Sequence, residues 1–363
     1  MWGKPYFYKY KMIKRILYTL LIMFPVLASA QINTDRVMAI GRNALYFEDY
    51  VLSIQYFNQV INAKPYLSDP YFYRGLAKIN LDDFQGAESD CSEAIERNPF
   101  VVSAYQVRGL ARIQQNNFAG AIEDYTKALE FDPENIGVWH NMALCRIRQE
   151  DYKGAKNDLD KLIAISPRYT KAYLMRGEVD LKQKDTLAAE KDFGKAIEID
   201  RYDADTWASR AILRLQQQRY KDAEADFDHA IRLSTRNSGV YINRALARYH
   251  QNNLRGAMSD YDIALDIDPN NFIGHYNRGL LRAQVGDDNR AIQDFNFVIE
   301  MEPDNMMAIF NRGLLLDQTG DYKGAIKDYS TVINEYPNFL LGYQYRAQAR
   351  RKIGDVKGEI GRA

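Results

Sequence analysis

Cysteine and histidine are scarce in this sequence: Cys91 and Cys145, and His140, His229, His250 and His275, are all that 363 residues contain. Two cysteines cannot build a disulfide framework. No two histidines stand four apart, so no helix offers a His pair to a metal. HExxH, GxSxG and the glycine-rich phosphate loop are also missing, which removes the signatures of zinc hydrolases, serine hydrolases and P-loop enzymes. Carboxylates are plentiful but recur in register along the chain instead of converging on one place. The reading is of a protein that is not an enzyme and needs no cofactor and no metal.

A block of positive charge is missing too. Lys4, Lys9, Lys11, Lys14 and Arg15 carry all the charge of the first 30 residues, and without them 43 basic residues face 48 acidic ones. A mildly acidic chain with no basic stripe gives no electrostatic footprint for nucleic acid, and no polybasic patch for a membrane surface.

What the N-terminus does have is a basic stretch, MWGKPYFYKYKMIKR, an apolar run, ILYTLLIMFPVL, and the small-residue site Ala28-Ser29-Ala30. This is the layout of a secretory signal peptide over residues 1–30, with Gln31 first in the mature chain. The apolar run is short for a bilayer, which needs roughly 20 residues, and Pro25 interrupts it. No cysteine follows the small residues, so a lipoprotein route is closed, and Met12 would open an equally good signal. The mature protein is expected to carry no transmembrane segment and to reside in the periplasm or beside the outer membrane of a Gram-negative bacterium.

The rest of the chain repeats itself. Pro65, Pro99, Pro133, Pro167, Pro269, Pro303 and Pro337 mark a period of 34 residues, broken only at Arg201 and Thr235, where proline is missing. A small residue precedes each of these positions by 24 (Gly41, Gly75, Gly109, Ala143 and onward to Gly313) and another by 12 (Ser53, then Ala87 through Ala325). Four residues after the second comes an apolar one, such as Phe57, Cys91, Tyr125 or Leu159, so Cys91 reads as a buried small hydrophobe, as does Cys145. Each unit carries two apolar stripes at helical spacing, parted by a turn such as QTGDY. One helix pair cannot bury its faces alone; stacked units can.

This pattern resembles the tetratricopeptide repeat, whose W-x2-L-G-x2-Y…A-x3-F…P skeleton has the same period. The resemblance covers residues 34–363: units 34–67, 68–101, 102–135, 136–169, 170–203, 204–237, 238–271, 272–305 and 306–339, and a partial tenth, 340–363. It implies an all-α fold, an α-solenoid of antiparallel helix pairs A and B wound into a right-handed superhelix with a concave face of A helices.

Inside the frame an arginine precedes the helix A small residue (Arg74, Arg108, Arg176, Arg210, Arg244, Arg278, Arg312, Arg346), and an aspartate precedes the helix B apolar residue (Asp90 through Asp260, Asp294 and Asp328). Unit one lacks both, and unit four keeps Asp158 beside Met142. Joint absence favours a structural ladder of Arg–Asp pairs over a row of arginines awaiting an acidic ligand. Whether each arginine pairs within its own unit or with the preceding one stays open.

The resemblance also implies that partners bind along helix A. The residue before the ladder position is Asn141, Asn243, Asn277 and Asn311 in four units; an amide both donates and accepts, which suits the backbone of an extended peptide. Phe72, Tyr276 and Phe310, with Tyr249 one turn on, are the apolar candidates beside it, and Tyr276 and Phe310 are expected to be exposed. The leucine row (Leu76, Leu110, Leu246, Leu280, Leu314) reads as helix packing or as part of the groove. The expected role is a non-catalytic scaffold binding an extended protein segment; the alternative is the repeat arm of a larger enzyme or secretion machine. Unit ten stops within helix B, and an uncapped end is a place for association or dimerisation.

Overall fold

The computed structural model describes residues 33–234 and 236–355. The expected leader, 1–30, Thr235 and the last eight residues lie outside them. Nineteen α-helices and no strand are present among the described residues. They are α1 (Thr34–Tyr46), α2 (Tyr50–Ala63), α3 (Asp69–Ile79), α4 (Phe84–Arg97), α5 (Val102–Gln114), α6 (Phe118–Phe131), α7 (Ile136–Arg148), α8 (Tyr152–Ile165), α9 (Thr170–Lys182) and α10 (Thr186–Ile199). There follow α11 (Ala204–Gln216), α12 (Tyr220–Leu233), α13 (Ser238–His250), α14 (Leu254–Ile267), α15 (Phe272–Gln284), α16 (Asp288–Met301), α17 (Met306–Thr319), α18 (Tyr322–Glu335) and α19 (Leu340–Lys352). Odd-numbered helices are the A helices and even-numbered ones the B helices. The fold divides into two compact units at Ala172/Tyr173.

Local chemistry fixes where each helix starts. Asp49, Asp83, Asn117, Asp151, Asp185, Asn253 and Asp321 occupy the same place in their repeats, and each side chain accepts the backbone N–H three residues on, capping helix B. Asn33, Asn135, Asn271 and Asn305 do the same for helix A. Such a cap stabilises by about 1 kcal/mol.

The A-to-B turn depends on one left-handed residue per unit. Glu48, Asp82, Asn116, Glu150, Lys184, Gln218 and Asn252 take it with φ near +60°, and Gly286, Gly320 and Gly354 take it in the last three units. The backbone closes the turn: Asp151 N–H, for example, donates to Arg146 O at 2.9 Å.

Packing within a unit follows the two small rows. Ala87, Ala121, Ala155, Ala189, Ala223, Ala257, Ala291 and Ala325 are fully buried, as are Phe57, Cys91, Tyr125, Phe193, Phe227 and Phe295. At Gly109 a Cβ would stand 2.7 Å from the Tyr125 ring, so helix A approaches helix B too closely there for a side chain. Cys91 and Cys145 are free and buried; burial pushes their thiols up to about 12 and about 11, well above physiological pH.

The missing proline at Arg201 does not loosen its turn. Arg201 O accepts the Trp207 indole N–H at 3.0 Å, as Pro133 O accepts that of Trp139 at 2.8 Å. A backbone carbonyl suffices for this bond, whichever residue bears it. The corresponding position of the next unit, Thr235, lies outside the described residues. No described helix is long and apolar enough to cross a membrane.

Candidate functional site

The register question about the charged pairs has a geometric answer. Arg244 Nη2 lies 2.6 Å from Asp260 Oδ1 and Nε 3.0 Å from Oδ2, both within one unit. Arg278–Asp294 and Arg312–Asp328 repeat the fork, with closest approaches of 2.7 Å. The remaining nitrogen, Nη1, reaches back to the preceding unit: Arg244 to Asp228 at 2.7 Å, Arg278 to Asp262 at 2.8 Å, Arg312 to Asn296 at 2.8 Å and Arg74 to Asn58 at 2.6 Å. Each of these four arginines therefore fixes the angle within a repeat and stitches that repeat to its neighbour. Where an aromatic ring stands one turn earlier the guanidinium lies over it, as Arg74 does over Tyr71 and Arg244 over Tyr241, both at 5.5 Å.

A second cationic row was not foreseen. Lys78, Arg112, Arg146, Arg214, Arg248 and Arg282 stand four residues after the ladder position, on the same helix face, and each meets the same buried aspartate. Arg112 and Arg248 also bond glutamates of the preceding unit, Glu88 and Glu224. The sequence signal was available, as a basic residue recurring at i+4 from the first row.

These partners tune each carboxylate. Burial raises Asp294, but hydrogen bonds from His275 and Arg278 and the charges of Arg278 and Arg282 outweigh it and hold the carboxyl below its ordinary value. Asp158 has Arg146 alone, because Met142 occupies the ladder position, and burial pushes it up to about 6. The histidines are also absorbed into packing: His275 bonds Asp294 at 2.9 Å and Pro269 O at 3.0 Å, and His140 bonds Tyr169 at 3.3 Å. Among the described residues no group of His, Cys, Asp and Glu is disposed to hold a metal ion.

The asparagine row stands one residue before the ladder position, so at about 100° per residue it lies on the adjoining side of helix A, about a quarter turn from the ladder. Asn141, Asn243, Asn277 and Asn311 are all half-buried. Asn243 Nδ2 donates to Gly239 O at 2.9 Å within its own helix, and Asn311 Nδ2 donates to Tyr276 Oη at 3.1 Å across the repeat boundary. The array itself thus uses one amide donor at each of these two positions. Leu280 beside them is 40% exposed.

The apolar candidates divide. Tyr276 is half-buried, its ring edge-on to Phe295 at 5.8 Å. Tyr249 is half-buried against the Tyr241–Tyr261 core, and Phe72 sits against Tyr71 and Ile61. Phe310 is not exposed as expected: at 9% exposure it is enclosed by Tyr329, Phe339 and Tyr345, with ring centroids 5.0–5.8 Å away. The aromatic residues Phe339 and Tyr345 that follow it cover it, and it forms one wall of a cavity of about 400 Å³ with Met306, Val332 and Tyr336.

These features define a class: an α-helical repeat array whose charged groups are spent on its own frame, presenting a row of amides and apolar side chains along its A helices. Comparison with known proteins makes the class specific. Tetratricopeptide repeat models match residues 109–145, 136–169, 170–203, 209–272 and 276–338, which together take in more than half of the sequence. The chain belongs to the tetratricopeptide repeat family. Among solved structures, a tetratricopeptide repeat protein from Parabacteroides merdae is similar at 21% identity and a TM-score of 0.53, over 69% of this chain and 98% of that one. The C-terminal part of a TPR repeat-containing protein from Cytophaga hutchinsonii gives 17% and 0.54, over 65% and 97%. Pseudomonas aeruginosa pilF gives 18% and 0.53, over 59% and 97%. At such identities the likeness is one of fold. No curated protein matches the chain in sequence. Arrays of this family are in general interaction scaffolds for proteins, not catalysts.

Proposed function

We propose that the chain is a non-catalytic scaffold of the cell envelope, exported by residues 1–30, that holds an extended segment of a partner protein along its A helices. The observation that carries this reading is the run Asn243, Asn277, Asn311 on α13, α15 and α17, recurring every 34 residues on one side of the A helices, about a quarter turn from the Arg–Asp ladder. Two of the amides have a donor tied internally, which fixes the plane of each side chain. A fixed amide presents its remaining groups to a peptide backbone at a lower ordering cost than a free one. Tyr276 and Leu280 supply half-exposed apolar surface alongside.

The test is capture from the periplasmic fraction with residues 31–363 as bait and the triple substitution Asn243→Ala, Asn277→Ala, Asn311→Ala beside it. Helicity is expected to survive the substitutions, and a partner caught by the wild type is expected to be lost. A partner retained by the triple variant at wild-type level would remove the reading's main support. Export is tested separately: the mature chain should begin at Gln31 and fractionate with the envelope.

A further inference from the structure

One step of the ladder is incomplete. In the repeats around it, the ladder arginine's Nη1 is met by an acceptor on helix B of the preceding unit: Asn58, Ser92, Asp228, Asp262, Asn296 or Ser330. The position that should serve Arg210 is Gly194, which has no side chain. Arg210 spends Nε and Nη2 on Asp226, at 2.8 and 2.9 Å, and Nη1 has no acceptor among the described residues. A Cβ built on Gly194 would find only that nitrogen within 4 Å, at 4.0 Å.

Gly194 lies in the wall of an open cleft of about 570 Å³ whose apolar lining, Ile197, Tyr202, Trp207 and Leu233, is set among basic side chains. Arg201, Arg210, Arg232 and His229 line it, with Trp207 held between the His229 ring, stacked at 4.2 Å, and the Arg210 guanidinium at 5.1 Å. The one acid on its rim, Glu198, is paired with Lys195 at 2.9 Å. With the internal acceptor missing, Arg210 keeps one nitrogen for this cleft while Asp226 holds the other two, and Arg201 and Arg232 add positive charge at the rim, where a charge-assisted hydrogen bond can form. Gly194 and Arg210 belong to units five and six, whereas Asn243, Asn277 and Asn311 belong to units seven to nine, so this site is separate from the proposed peptide groove.

We propose that this cavity binds a carboxylate supplied from outside the chain, seated where Asp228 and Asp262 place their own carboxylates in later repeats. Arg210 Nη1 donates to it, and Arg232 and Arg201 neutralise it at the rim. An acidic peptide side chain and a small free carboxylic acid share this chemistry, and the probes separate them.

The chain, with its tryptophan indoles labelled with 15N, is titrated at fixed ionic strength by exchanging chloride for succinate, and separately for N-acetyl-Glu-Glu-amide. The Trp207 indole resonance is assigned with Trp207→Phe. Saturable movement of that resonance is expected; a response to the peptide alone assigns the site to acidic polypeptide, and a response to both assigns it to the carboxylate group itself. Gly194→Asp restores the internal acceptor without crowding, so it is expected to fold and to weaken binding at least tenfold. Arg232→Gln is expected to weaken it severalfold. No saturable movement with either probe, or equal affinity in the Gly194→Asp variant, would overturn the proposal.

Discussion

Asp260 is the place to test whether the ladder holds the array together. Its carboxylate is 1% exposed and accepts three charge-assisted bonds: Arg244 Nη2 at 2.6 Å, Arg244 Nε at 3.0 Å and Arg248 Nη1 at 2.8 Å. Asp260→Asn keeps the shape but removes the charge and turns one acceptor into a donor facing a guanidinium. Breaking a buried pair by removing one partner costs about 3–5 kcal/mol. Both arginines keep a second anion, Asp228 at 2.7 Å and Glu224 at 2.7 Å, so neither is stranded, and the lower end, ~3 kcal/mol, is the expected value. In a repeat array the loss falls first on the unit that bears it and its neighbours. Urea denaturation followed by circular dichroism, with hydrogen exchange of α13 and α14, is the assay. The midpoint should fall, and the amides of those two helices should lose protection before those of α16 and α18. A change below about 0.5 kcal/mol, the size of a neutral surface substitution, would refute the idea that these pairs are structural and return Arg244 to the role of a waiting ligand-binding group.

Other expectations follow from the same geometry. Asp158, pushed up to about 6 in the fold against an ordinary value of 3.8, contributes most below pH 4, and its contribution is lost as pH rises through about 6, by up to about 3 kcal/mol. Met142→Arg supplies the missing ladder cation, with Thr126 placed to accept its third nitrogen, since Thr126 Oγ1 lies 4.0 Å from Met142 Sδ. That variant should lower the Asp158 pKa, read by NMR, and stabilise the chain at pH 7 by roughly 1 kcal/mol; an unchanged pKa would contradict the pairing. Gly109→Ala should destabilise by about 1–3 kcal/mol in urea, because its methyl meets the Tyr125 ring at 2.7 Å. Gly286→Ala should cost about 1 kcal/mol for a different reason, the backbone conformation at φ +82°, with open space around the new methyl.

Much of the framework was legible in the sequence because the repeat averages out local noise. The Pro register placed every unit within a residue or two of its helices, and the absence of both Arg and Asp from unit one pointed to pairing before any coordinate. The sequence did not reveal which unit each arginine serves, since i+16 within a unit and the reach back to the preceding helix are compatible with the same periodic text. The Lys78–Arg282 row is harder to read because it is interrupted at Asp180 and ends at Leu316, and a basic residue four after another on a helix looks like solvated charge. Phe310 shows the other failure. Variability of residue type at its position suggested exposure, yet the aromatic residues Phe339 and Tyr345, specific to this end of the array, enclose it. Gly194 was visible as a letter, but its meaning lay in the acceptor it fails to supply to Arg210.

The central functional claim is that a partner segment runs over the asparagine face, and site-specific photo-crosslinking addresses it most directly. A photoreactive residue is placed at Asn277 on α15 in one variant and at Arg290, 68% exposed on α16, in another. The account predicts one discrete crosslinked species from position 277 in the envelope fraction, absent at 290 and abolished when Asn243 and Asn311 are both replaced by alanine. The same species from position 290, or an undiminished one from 277 in the Asn243/Asn311 variant, would contradict it.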